Sequence, residues 1–149
     1  MPLLTLLLIW AVFLQVCLTL FSLFKMRGVR VRAFQEGAVT MEQVAVDHSV
    51  WPDYVRKVQN SYISQFELPI LFYLSCILVL IFGMEDWVII LLSWLFVASR
   101  FVHFYIHTGT NRIKHRFRAF AAGLACVAIQ WIYIMVMFTY TYLSIAAVI

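Results

Sequence analysis

Four apolar runs, separated by shorter polar segments, dominate this chain of 149 residues. A helix needs about 20 predominantly apolar residues to cross a bilayer, and each run meets that requirement. We therefore predict transmembrane helices at residues 3–24, 53–82, 87–107 and 116–147, with a polar loop at 25–52. The length suits a single domain, so the predicted fold is an all-α integral membrane protein, a bundle of four transmembrane helices.

Composition favours a membrane protein and argues against a soluble or nucleic-acid-binding one. Hydrophobic residues make up 64% of the chain and charged residues 12%, against about 25% charged in an ordinary soluble domain. The three cysteines all lie inside apolar runs without CxxC spacing, so we interpret them as small hydrophobic residues. We expect membrane lipid as a partner and no nucleic acid.

The distribution of lysine and arginine predicts how the helices are oriented. Basic residues precede the second span and connect the third span to the fourth, whereas the turn between the second and third spans has none. The basic residues of the two segments are Lys25, Arg27, Arg30, Arg32, Arg56, Lys57, Arg112, Lys114, Arg116 and Arg118. The positive-inside rule then predicts cytoplasmic basic segments and both termini outside the cytoplasm.

Glu67 is the acid that lies inside a predicted span, and such residues are hypotheses for functional sites. Arg56, Asn60, Ser64 and Glu67 are spaced by four, four and three residues, which places them on one helical face. Pro69 has no N–H group, so we expect the backbone to open near Glu67. The face is interpreted either as a binding site or as a structural ion pair beside a proline kink.

Arg100, His103 and His107 form a second polar stripe, spaced by three and four residues in the third span. Arg100 lies deep enough to need a partner, and we predict an ion pair with Glu67. Two histidines at this spacing are able to bind zinc. However, the chain has four histidines in all and no acid follows this pair closely, so we expect neither a metal nor a haem.

The start of the fourth helix carries Arg112 and Arg116 one turn apart, where they project together at the cytoplasmic edge. The alternative is that both are topology anchors that contact lipid phosphate. Further along, Ala119 and Gly123 have the small-xxx-small spacing that lets helices approach closely. That face packs either within the subunit or between subunits.

Two segments of the chain resemble the MAPEG superfamily (membrane-associated proteins in eicosanoid and glutathione metabolism), in its bacterial-type branch. One is NSYISQFELPILFY at residues 60–73, with its Asn, Glu and Pro followed by an aromatic-rich helix. The other is WLFVASRFVH at residues 94–103, which continues to NRIKHRFRAF at 111–120. With four spans and two basic segments in the same order, the resemblance covers nearly the whole chain. It implies an integral protein of the bacterial inner membrane.

The resemblance also implies a homotrimer that binds glutathione as a co-substrate between neighbouring subunits. By position, Arg116 would face the glutathione thiol as the catalytic residue, and Glu67 would contact the amine or hold a binding arginine. The other implied binding residues are Arg30, Arg56, Asn60, Ser64, Arg100, His103, His107 and Arg112. The chain departs from the family pattern at Ser64, where relatives often carry Asn. It also departs at His107 and Phe120, where prostaglandin E synthase-like members carry tyrosines.

We therefore predict a glutathione S-transferase-like membrane enzyme that acts as a transferase or a peroxidase. Arginine binds carboxylates bidentately, and a cation beside a thiol favours the thiolate. The thiolate would attack a hydrophobic small-molecule electrophile that arrives through the bilayer. One alternative is a non-catalytic member of the same fold that binds a lipid or a partner. Another is a small proton-coupled transporter that uses Glu67, although its cationic neighbours would keep that carboxylate ionised.

Overall fold

The computed structural model describes residues 3–146, apart from the side chains of His48 and Ile145. Within that range the chain folds into α-helices joined by short turns. The helices are α1 (Leu3–Gln35), α2 (Met41–Val46), α3 (Asp53–Ile63), α4 (Leu68–Phe82), α5 (Trp87–Thr108) and α6 (Ile113–Ala146). Short 3-10 turns at His48–Val50 and Ser64–Phe66 precede α3 and α4.

Four helical segments are long and apolar enough to cross a membrane, namely α1, α3 together with α4, α5, and α6. The predicted class is confirmed, and the protein is an all-α, multi-pass integral membrane protein. Two bounds differ from the prediction, because α1 continues to Gln35 into the expected loop and α6 begins at Ile113. Residue 147, the predicted end of the fourth helix, lies outside the described residues.

The extra length of α1 packs against the start of α3. A helix of 33 residues is about 50 Å long, well beyond the roughly 30 Å of hydrocarbon. The end of α1 packs against the start of α3 through buried Ala33, Trp51 and Val55. Gly37, at φ 66°, then adopts the left-handed conformation that follows a helix end. On this last part of α1, Met26 and Ala33 are buried, while Arg27 and Arg32 are exposed.

The second span is interrupted where α3 ends and α4 begins. Ser64–Phe66 form a 3-10 turn, and Glu67 has φ −88° and ψ −89°, which is not helical. Pro69 lies in the first turn of α4 and has no N–H to donate to a preceding carbonyl. The predicted opening of the backbone near Glu67 is therefore present. Carbonyl groups just before the break are available to side-chain donors.

Hydrogen bonds between helices define the two ends of the bundle. At the end that carries the basic segments, Lys25 Nζ donates to Thr108 Oγ1 at 2.9 Å and joins α1 to α5. At the opposite end, Thr5 Oγ1 donates to Glu85 Oε1 at 3.0 Å and joins α1 to the α4–α5 turn. Both basic segments therefore lie at one end of the bundle, which we call the basic end.

Gly123 lets α6 approach α5 closely. A Cβ atom at this position would lie 2.6 Å from Ser99 Oγ and 3.7 Å from the Phe96 ring. Further from the basic end, buried Gln130 Nε2 donates to Ser75 Oγ at 3.0 Å and joins α6 to α4. Of the two alternatives for the small-residue face, Gly123 serves packing within the subunit.

Candidate functional site

A pocket of about 320 Å³ lies at the basic end, between the break in the second span, α5 and the start of α6. Ile113, Phe117 and Phe120 form its apolar wall. Its polar wall consists of Asn60, Ser64, Glu67, His103, His107 and Arg116. We call it the histidine pocket, because its two imidazoles are the most buried of these polar side chains.

A second pocket, of about 270 Å³, shares part of this wall. It is lined by the polar side chains of Asp53, Arg56, Lys57, Asn60, His107, Asn111 and Arg116. We call it the cationic pocket, since three of these residues are basic and one is acidic. Asn60, His107 and Arg116 line both pockets. The two pockets therefore form one cleft with a charged half and a half that has an apolar wall.

Arg116 lies on the shared wall, and the turn before α6 holds it there. Its Nη1 donates to Asn111 Oδ1 at 2.8 Å. Asn111 has φ 49°, a left-handed conformation that asparagine tolerates better than most residues. The Asn111 N–H donates to the carbonyl of Ile106 at 2.8 Å, which fixes the turn between α5 and α6. Asn111 therefore forms the turn between α5 and α6 and also orients the Arg116 side chain.

Arg100 is fully buried behind the histidine pocket, and its partner is the backbone of the helix break. Its Nη2 donates to the Ser64 carbonyl at 2.7 Å and to Ser64 Oγ at 3.1 Å. Across residues 3–146, no carboxylate lies within ion-pair distance of Arg100, so the predicted pair with Glu67 is wrong. Glu67 lies in the non-helical break and is exposed at the pocket, while the opened backbone offers Arg100 a nearer acceptor.

Besides Arg100, which lies behind the histidine pocket, two of the expected binding residues lie apart from the cleft. Arg30 extends from α1 toward α3, where its Nη2 donates to Gln59 Oε1 at 2.9 Å and its guanidinium lies 5.3 Å from the Trp51 ring centroid. This contact joins α1 to α3. Arg112 is exposed just before α6, and neither pocket has it in its wall. The other expected residues, Arg56, Asn60, Ser64, Glu67, His103, His107 and Arg116, line the cleft.

His103 and His107 lie one turn apart on α5, with ring centroids 5.4 Å apart. His103 also lies against Phe120, at 6.0 Å between ring centroids. In the part of the chain that the structure describes, Nδ1 of each ring is buried without a hydrogen-bond partner. The same part holds no group of three His, Cys, Asp or Glu side chains placed to bind a metal ion.

Several lining residues were not predicted as site residues. Asp53 and Lys57 lie near Arg56 on α3. Lys57 precedes Asn60 by three residues, and this helical spacing is the sequence signal that predicts its place in the lining. Asn111 reaches the cleft through its turn conformation, which no periodicity reveals. Phe117 lies in the predicted fourth span and Ile113 just before it, and both form part of the apolar wall.

This geometry defines a class of protein, namely a four-helix membrane bundle with a cleft of charged and aromatic residues at its basic end. The model of the MAPEG family matches residues 7–136. The chain belongs to the MAPEG family. Searches of curated proteins and of solved structures gave no match for this chain.

Proposed function

We propose that the protein is a membrane glutathione-dependent transferase or peroxidase, in which Arg116 stabilises the glutathione thiolate. The observation that carries the proposal is the position of Arg116 on the wall shared by the two pockets. A sulfur atom beside it would lie between a charged half-site and a half-site with an apolar wall. That is the arrangement a reaction between a charged thiol peptide and a hydrophobic electrophile needs.

The charges of the cationic pocket support glutathione as its ligand. Glutathione carries two carboxylates and one ammonium group, and this pocket offers three cations together with the carboxylate of Asp53. Arginine binds a carboxylate through a planar pair of donors, whereas lysine acts as a point charge. Arg56 and Lys57 would therefore bind carboxylates, and Asp53 or Glu67 would accept from the ammonium group.

The position of Arg116 in the first turn of α6 supports its role toward the sulfur. A helix N-terminus carries partial positive charge and free backbone N–H groups, so a thiolate there gains from the helix as well as from the guanidinium. Cationic surroundings lower the pKa of a thiol from about 8.5, which increases the thiolate fraction at neutral pH. The thiolate then attacks an electrophile that lies against the apolar wall of the histidine pocket.

Calorimetry with detergent-solubilised protein tests whether the cleft binds glutathione. We expect saturable binding that weakens about tenfold or more in Arg56→Gln/Lys57→Gln, since each lost charge contact costs on the order of 1.5 kcal/mol. Lys114→Gln is the matched control, because Lys114 is exposed and lines neither pocket. Absence of binding at millimolar glutathione would contradict the proposal and favour a member of the fold that binds a lipid or a protein partner.

A further inference from the structure

The outer face of α6 begins with two cations that have no carboxylate partner. Lys114 and Arg118 lie one turn apart in the first two turns of the helix, and both side chains are exposed. Across residues 3–146, neither of them belongs to an ion pair, and neither lines the cleft. No aspartate or glutamate follows Asp86 in the sequence, so α5 and α6 hold no counter-ion for this pair.

The same face of α6 continues as an exposed apolar surface. The residues that follow Arg118 at spacings of four, three, four and three are Ala122, Ala125, Ile129 and Ile132. This spacing places them on one side of the helix, in line with the two cations. All four are exposed, and Ile129 and Ile132 are 52% and 65% exposed, so the face points away from the bundle.

The length of this apolar surface matches one leaflet of a bilayer. A helix rises about 1.5 Å per residue, so the surface from Ala122 to Ile132 is about 15 Å long. The hydrocarbon core is about 30 Å thick, and one leaflet supplies about half of it. Lys114 and Arg118 then lie at the level of the lipid phosphates. The small side chains of Ala122 and Ala125 leave room for an acyl chain directly below the cations.

We propose that this face of α6 binds an anionic phospholipid, with its phosphate at Lys114 and Arg118 and an acyl chain along the apolar surface. Arginine binds phosphate through two parallel N–H donors, and lysine adds a point charge. A zwitterionic lipid fits less well, because its ammonium group would lie beside the same cations. The positive-inside rule assigns this end of the bundle to the cytoplasm, and anionic lipids of the cytoplasmic leaflet attract cations near the surface.

Native mass spectrometry of the full-length protein in detergent tests the site. The probes are dioleoylphosphatidylglycerol, which is anionic, and dioleoylphosphatidylcholine, which is zwitterionic and has the same acyl chains. We expect wild-type protein to bind phosphatidylglycerol more tightly. Lys114→Gln and Arg118→Gln should each weaken that binding about fivefold, the usual contribution of one cation at an anionic membrane surface, and should leave phosphatidylcholine unchanged. Equal affinity of wild-type protein for the two lipids would overturn the proposal.

Arg27→Gln is the matched control, because Arg27 is exposed on α1 at the same end of the bundle and its replacement removes the same charge. It should keep the wild-type affinity for phosphatidylglycerol. A loss equal to that in Arg118→Gln would mean that net charge alone attracts the lipid, and it would overturn the site on α6.

Ala125→Leu tests the apolar half of the surface. A leucine at this position takes the space assigned to the acyl chain, so phosphatidylglycerol should bind several-fold more weakly. Thermal unfolding should stay unchanged, because the side chain at this position is exposed. If the face instead contacts a second copy of the chain, Ala125→Leu would reduce the oligomer signal and leave lipid affinity as it is, and that result would contradict the proposal.

Discussion

Arg100 donates to both the carbonyl oxygen and the hydroxyl of Ser64, at 2.7 Å and 3.1 Å, across the break between α3 and α4. One guanidinium group thus satisfies a backbone acceptor that the interrupted helix leaves open and orients a hydroxyl in the pocket wall. The charge of Arg100 lies within the bundle, and Nε and Nη1 lack partners in the described part of the chain. The contact joins α5 to the second span directly behind the candidate site.

The first prediction concerns this contact. Ser64→Ala removes the hydroxyl acceptor of a charged donor, so we expect a loss of about 1.5–3 kcal/mol in the free energy of unfolding. Glu67→Gln should change it by less than about 0.5 kcal/mol, because the exposed Glu67 carboxylate makes no ion-pair contact in residues 3–146 and its charge acts on Arg100 only at longer range. Thermal unfolding in one detergent compares the two. A larger loss of unfolding free energy in Glu67→Gln than in Ser64→Ala would contradict this account and indicate an ion pair between Glu67 and Arg100.

The second prediction concerns the close approach of α6 to α5. Gly123→Ala places a methyl group where Ser99 Oγ now lies, so the hydroxyl has to rotate away from the Phe96 carbonyl to which it donates at 2.6 Å. We expect a loss of about 1–3 kcal/mol, typical of overpacking. Gly28→Ala is the control, since nothing lies within 4 Å of its Cβ position and alanine favours a helix by about 0.5–1 kcal/mol.

A double-mutant cycle checks the cause of that loss. Ser99→Ala removes the atom that meets the new methyl group, so Gly123→Ala should cost less in the Ser99→Ala background than in wild-type protein. Equal cost in both backgrounds would mean that the clash with Ser99 is not the reason for the loss.

The face of α3 was predictable because helical periodicity places Arg56, Asn60 and Ser64 together, and the cleft contains all three. Glu67 also lines the cleft, although the helix is broken between Ser64 and Glu67. The partner of Arg100 was not predictable in the same way. A sequence pattern points to charged side chains as partners, whereas the acceptor is a main-chain carbonyl that is free to accept because the helix is broken.

Two further features depend on packing that a single sequence does not reveal. Arg30 resembles a carboxylate-binding residue in its sequence position, yet its contacts with Gln59 and Trp51 arise because α1 continues beyond the predicted span and meets α3. Asn111 enters the cleft because its backbone is left-handed at φ 49°. Such a conformation is set by the geometry of the turn and leaves only a weak signal in composition.

The third prediction is the orientation in the membrane. Both basic segments lie at one end of the bundle, and the positive-inside rule places that end in the cytoplasm. Reporter fusions at Gly37 should therefore map inside, and fusions at Glu85 or after residue 149 should map outside. A cytoplasmic reporter signal from the C-terminal fusion would contradict this orientation.

The fourth prediction is the assembly. Asn60, Glu67 and Phe117 are exposed around the histidine pocket, so the cleft is open on the outer surface of a single subunit. We expect neighbouring copies to cover it in a homotrimer, as is typical of the MAPEG family. Native mass spectrometry should detect three copies of the chain in mild detergent. Monomers alone in every detergent tried would overturn this assembly.

The central claim is that Arg116 stabilises a glutathione thiolate, and an ultraviolet difference spectrum tests it most directly. A thiolate absorbs in the ultraviolet and a thiol barely does, so adding glutathione at neutral pH reports ionisation of the bound thiol. The account predicts a thiolate band in wild-type protein that is lost in Arg116→Leu and largely kept in Arg112→Leu, since Arg112 lines neither pocket. Wild-type protein that binds glutathione without a thiolate band, or an Arg116→Leu variant that keeps the band, would contradict it.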